Sequence, residues 1–136
     1  MVLLTWLRSL AAILYPAIAG TPSSSTVVAD FLATPGLPFV WDGTGTQVQI
    51  GSATFGGDGQ SVVVPQLIYP SPFGAGQCVV LNSGTTFREG HDTTNSMQNA
   101  KLPDWAVIDI SVAPDAMAPG RVVADGFCDE QWVPIV

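Results

Sequence analysis

The sequence predicts an α/β domain: a small three-layer sandwich, flavodoxin-like in general plan, built on a mixed sheet. Three observations carry this expectation. Cys78-Val79-Val80-Leu81 and Ala106-Val107-Ile108, the latter within Trp105 to Ile110, are continuous apolar runs with the pattern of strands covered on both faces, and are expected at the sheet centre. Val27, Val28, Phe31 and Leu32 recur at helical spacing and mark one apolar helix face. Short strand patterns separated by Gly-rich turns fill most of the intervening chain.

In chain order, residues 1–19 read either as a signal peptide or as a first apolar strand. Arg8 precedes an apolar stretch, and Ala17-Ile18-Ala19 fits the small-x-small cleavage rule, but Ile13 to Ala19 fits a buried strand equally well. Residues 20–136 read as one domain. The serines of Gly20-Thr21-Pro22-Ser23-Ser24-Ser25 are suited to capping the helix that follows, and Pro35-Gly36 ends it. That turn lacks the lysine and the glycine spacing of a phosphate-binding loop. Leu37 to Trp41, the Asp42-Gly43 turn and the alternating Gln47-Val48-Gln49-Ile50 predict a hairpin or meander with one wet face. Val62 to Val64 and Leu67 to Tyr69 are expected as separate strand segments, with Pro65 at an edge or bulge because it cannot donate to a ladder. Asp92 to Asn99 is compatible with a helix, weakened by Gly90, and Arg121 to Ala124 is the final strand.

Composition excludes several functions. The four basic residues, Arg8, Arg88, Lys101 and Arg121, are scattered along a chain of formal charge −7, the opposite of the concentrated positive surface that nucleic acid requires. Cys78, Cys128 and His91 cannot assemble a four-ligand zinc site, and the two thiols are compatible with either a disulfide or free cysteines. Asp104, Asp109, Asp115, Asp125 and Asp129 do not have calcium-loop spacing; solvated turns explain most of them, with metal binding the lesser alternative. Arg8 and Pro16 interrupt the N-terminal stretch, so no stable membrane span is expected there. No cofactor is expected. With 11% charged residues, the surface is poor enough in charge to suggest cover by a partner.

A longer pattern runs through Leu67-Ile68-Tyr69-Pro70-Ser71-Pro72, Val79-Val80-Leu81-Asn82-Ser83-Gly84 and Phe87-Arg88-Glu89-Gly90-His91-Asp92. It continues from Asn95 to Asp109 through Leu102-Pro103-Asp104-Trp105-Ala106-Val107-Ile108-Asp109, and closes with Ala118-Pro119-Gly120-Arg121-Val122-Val123-Ala124 and Asp129-Glu130-Gln131-Trp132. Together these segments resemble the C-terminal, non-catalytic domain of bacterial α/β-hydrolase proteins of the prolyl-oligopeptidase family of serine peptidases and esterases. The resemblance reaches back to about Gly20. It implies that the chemistry belongs to a separate hydrolase domain whose serine sits on a Gly-x-Ser-x-Gly elbow. That elbow is absent here: Gly59-Gln60-Ser61-Val62-Val63 lacks the closing glycine and enters a strand-like run. The chain departs from the family pattern over residues 1–19 and at Cys78 and Cys128, where aromatic residues are expected.

The expected function is therefore that of an accessory domain that packs against a hydrolase domain or another protein surface, or of a detached relative of one. The alternatives are a secreted binding module using the Asn82–Asn95 loop and a small hydrolase centred on His91. Asn82, Ser83, Arg88, His91 and Asn95 are the candidate ligand or interface residues, because open α/β sheets place ligands at strand ends such as Asn82-Ser83-Gly84. The location follows the N-terminal alternatives: outside the cytoplasm for a signal peptide, cytoplasmic for a buried strand.

Overall fold

The computed structural model describes residues 17–83, 103–113 and 120–136. Their elements are β1 (Ala17–Ala19), α1 (Thr26–Leu32), β2 (Phe39–Trp41), β3 (Gln47–Ile50), β4 (Ala53–Gly56), β5 (Val63–Pro70), β6 (Cys78–Asn82), β7 (Trp105–Asp109) and β8 (Arg121–Gly126). They form a five-stranded sheet in the order β1-β6-β5-β7-β8 and a three-stranded sheet in the order β2-β3-β4.

This corrects the predicted fold class. The described residues build a mostly antiparallel, two-sheet β structure with one short helix, not a flavodoxin-like α/β sandwich. Only β1 and β6 run parallel. The physical reason is what covers the apolar runs. A strand buried on both faces reads the same whether helices or a second sheet cover it, so the runs did not reveal their cover. Here the β2-β3-β4 meander packs against the large sheet, with Phe55 of β4 tilted against Trp105 of β7 and Phe39 of β2 edge-on to Tyr69 of β5.

Several elements match their sequence patterns. The exposed-buried alternation of β3 is that of a one-sided strand, and its turns reverse into antiparallel pairing with β2 and β4. Helix α1 buries Val28 and Phe31, and its N-cap Ser25 accepts the Val28 amide through its side chain. β7 is buried along its whole length. β6 is not: it alternates between half-buried and buried positions and lies between β1 and β5. The centre of the large sheet is β5, which pairs antiparallel with β6 on one side and β7 on the other.

Pro65 lies inside that central strand and is not at an edge or bulge. The Ile68 amide donates to the Asp104 carbonyl and the Ile110 amide to the Val62 carbonyl, each at 2.8 Å, so even-numbered residues of β5 carry the hydrogen bonds to β7. Pro65, opposite Val107, therefore turns its nitrogen to the β6 side. There the ladder has already ended at the Gln66–Asn82 pair. The missing N–H leaves no ladder bond unmade, and the ring is free to fill the core.

Residues 17–19 form a strand, with Ile18 in the core and Ala19 in register with Asn82. Cleavage after Ala19 would strip β1 from β6. The segment Asp92 to Asn99 lies outside the described residues.

Val107 is fully buried opposite Pro65, whereas Gln49 is on the exposed side of β3. Val107→Asp should cost more than about 4 kcal/mol, enough to unfold a domain of this size. Gln49→Asp should change stability by no more than about 0.5 kcal/mol. Urea melts of the two variants check the contrast, and equal midpoints would misplace the core.

Candidate functional site

Of the five residues expected to form a strand-end site, the structure places two. Asn82 ends β6 and accepts a 2.8 Å hydrogen bond through Oδ1 from Nε2 of Gln66 on the neighbouring strand. Ser83 follows it, fully buried, and its hydroxyl has no hydrogen-bond partner among the described residues. Arg88, His91 and Asn95 lie outside the described residues. A serine nucleophile needs a base within hydrogen-bond reach, and Ser83 Oγ touches none among them. What is placed at this strand end is a cross-strand amide pair beside a buried hydroxyl.

The sequence missed a polar cluster at the opposite sheet edge. Asp109, one of five aspartates that the sequence assigns mostly to solvated turns, is 1% exposed. One carboxylate oxygen accepts from the Ser111 hydroxyl at 2.5 Å and from the Ser111 amide at 3.0 Å; the other accepts from Nη2 of Arg121 at 2.8 Å. The Ser111 hydroxyl contributes most to holding this carboxyl below its ordinary range, with the Ser111 amide and Arg121 assisting against the opposing effect of burial. The cluster joins the end of β7 to the start of β8, beside the irregularity at Val107/Ile108 where Val123 is left out of the pairing. Both carboxylate oxygens are engaged, which makes the cluster a clamp between the two strands. The Asp-x-Ser spacing straight after an apolar run was the available signal, since it suits an Asx-type turn.

The third region is the chain's C-terminal ribbon. After β8 the chain reverses through Asp129 to Trp132, where Asp129 Oδ1 accepts from the amides of Gln131 and Val133, both at 2.9 Å. Ile135 then donates to the Phe127 carbonyl and Cys128 bridges Pro134, forming a short antiparallel ribbon. Its inner side is anchored at several points. The Cys128 amide donates to Asp104 Oδ2 at 2.9 Å, the Trp105 indole N–H donates to the Phe127 carbonyl at 3.3 Å, and Pro134 is buried. Gly126 permits the approach of that indole, because a Cβ there would fall 2.6 Å from Trp105 Cζ2. Trp132 takes φ 62°, rare for a residue with a side chain, and sets its ring edge-on to Tyr69 at 6.0 Å. Tyr69 in turn meets Phe31 and Phe39 edge-on.

Alternation along the ribbon puts Cys128 and Pro134 on the inner face and Phe127, Val133 and Ile135 on the outer one. Phe127 is 63% exposed, Ile135 62% and Val133 53%. Both cysteines are free thiols. Burial, reinforced by the nearby Asp104 and Asp129 carboxylates, pushes the Cys128 thiol up to about 11.

Among the described residues no group of three or more His, Cys, Asp or Glu side chains could hold a metal ion, and no helix is long and apolar enough to cross a membrane. No protein-family model, no curated protein and no solved structure matches the chain.

Three measurements test these environments. A carboxyl whose folded pKa is depressed contributes stability that is complete above its unfolded value, near 3.8, and is lost as the pH falls through the folded value. Urea midpoints of the native chain should therefore drop below about pH 4, and Asp109→Asn should flatten that limb. Ser111→Ala should cost about 1.5–3 kcal/mol at neutral pH, more than Arg121→Ala, whose side chain is 63% exposed. An equal or larger loss in Arg121→Ala would reverse the assignment. Cys128, with a thiol near 11 against an ordinary 9.0, should react with iodoacetamide at pH 8 about a hundredfold more slowly than a free cysteine. Peptide-level mass spectrometry of timed alkylation reads this directly.

Proposed function

We propose that this chain is a non-catalytic accessory domain that docks onto another protein domain through its C-terminal ribbon, a hydrolase domain being the partner that its sequence resemblance implies. The observation that carries the reading is the outer face of the ribbon. Phe127, Val133 and Ile135 are exposed together on a segment whose inner side is fastened by two hydrogen bonds to β7 and its approach and by the Trp132–Tyr69 contact. Large apolar side chains held out on a rigid support are what docking surfaces require, because little conformational freedom is lost when they are covered.

The polar groups support the same reading. Asp109, Asp104 and Asn82 are engaged in bonds that tie strands together, and Ser83 lacks a base at hydrogen-bond distance among the described residues. The Gly-x-Ser-x-Gly elbow is absent from the sequence.

The purified chain should show no turnover of p-nitrophenyl esters or prolyl peptides above the buffer rate. Ser83→Ala should fold with an unchanged or slightly higher urea midpoint, since it removes a buried hydroxyl that has no partner among the described residues. Turnover that Ser83→Ala abolishes would overturn the accessory reading.

A further inference from the structure

We propose that the outer face of the C-terminal ribbon binds a protein segment whose apolar side chains are framed by lysine or arginine. This rests on the accessory reading and names the chemistry of the partner. The argument begins with alternation. Along the strand that continues β8, Asp125 and Asp129 lie two residues to either side of Phe127 and share its face. On the returning strand Val133 pairs with Asp129 and Ile135 with Phe127. The face is thus an apolar centre of Phe127, Val133 and Ile135 with a carboxylate at each end, and exposed Glu130 lies at the turn.

No basic residue occurs between Ala124 and Val136. The nearest along the sequence, Arg121, is paired with Asp109. A second copy seated on this face by its own ribbon would set Asp125, Asp129 and Glu130 against their equivalents, in a chain that already carries −7. Like charges facing each other across an interface oppose association, and complementary ones select and orient the partner. An apolar segment flanked by cations satisfies both the centre and the rim. The anchored inner side keeps the face in one conformation before binding, which favours affinity.

The test uses the full chain, isotope-labelled, titrated with two synthetic peptides: Lys-Leu-Lys-Phe-Lys-Leu-Lys and its counterpart with glutamate at every lysine position. The cationic peptide should shift the amide resonances of Phe127, Val133 and Ile135, and the acidic one should bind at least about tenfold more weakly. Raising the salt to about 1 M, where charges are screened within about 3 Å, should weaken the cationic peptide. Phe127→Ser should reduce its affinity about tenfold or more without moving the urea midpoint, because the Phe127 hydrogen bonds are made by its backbone carbonyl. Equal binding of the two peptides, shifts confined to other surfaces, or no binding would each overturn the proposal. So would a dimer of the free chain, detected by sedimentation and dissolved by Phe127→Ser, which would assign the face to a second copy. If the peptides fail while the chain is still inert toward esters, the partner chemistry falls and the accessory reading stands; turnover lost in Ser83→Ala sinks the accessory reading itself.

Discussion

The central position of β5 is the constraint on which the other elements depend. Among the described residues it is the longest strand, and it alone pairs with both β6 and β7. Its even-numbered residues bond to β7, which leaves the odd-numbered ones to bond on the β6 side. That parity places Pro65 where no donor is needed, sets Leu67 opposite both Leu81 and Trp105, and points Tyr69 at the aromatic cluster with Phe31, Phe39 and Trp132. A slip of one residue would exchange the two faces and leave Pro65 opposite a β7 acceptor.

From this strand outward the structure becomes progressively less buried. β7 is covered along its length, β8 is largely exposed, and the ribbon beyond it is covered on one side only. The polar clusters follow the same gradient. The Asp109 clamp and the Asp104–Cys128 bond join β7 to the two ends of β8 and its continuation, a strand that is largely exposed. The irregularity opposite Ile108 falls between them. Bulges of this kind interrupt the regular outer row of amides on an edge strand, which discourages indiscriminate strand pairing.

The aromatic residues connect the two sheets to the ribbon. Phe55 against Trp105 joins the small sheet to β7, and Trp105 then donates to the ribbon through its indole N–H. Tyr69 receives Phe39 from the small sheet, Phe31 from the helix and Trp132 from the ribbon turn. The outer face of the ribbon is consequently held by the same side chains that build the core, and the positive φ of Trp132 is tolerated because its ring gains a place in that cluster.

What the sequence determined by itself was local. The alternation of Gln47 to Ile50, the capped helix with Val28 and Phe31 inward, and the apolar run through Val107 all translated directly into elements, because side-chain periodicity is set by backbone geometry within a few residues. Tertiary structure alone decided what covered those elements and in what order they lay. An apolar run does not record whether a helix or a second sheet will bury it, so a two-sheet structure was read as an α/β sandwich. Proline's missing donor matters only on the side where a neighbour needs it, and pairing parity assigns that side. Nothing local marked Asp109 as the centre of a clamp until Ser111 and Arg121 were brought to it, and Phe127, Val133 and Ile135 became one face only when the ribbon closed. Each of these outcomes depends on contacts between residues distant along the chain, which no local pattern encodes.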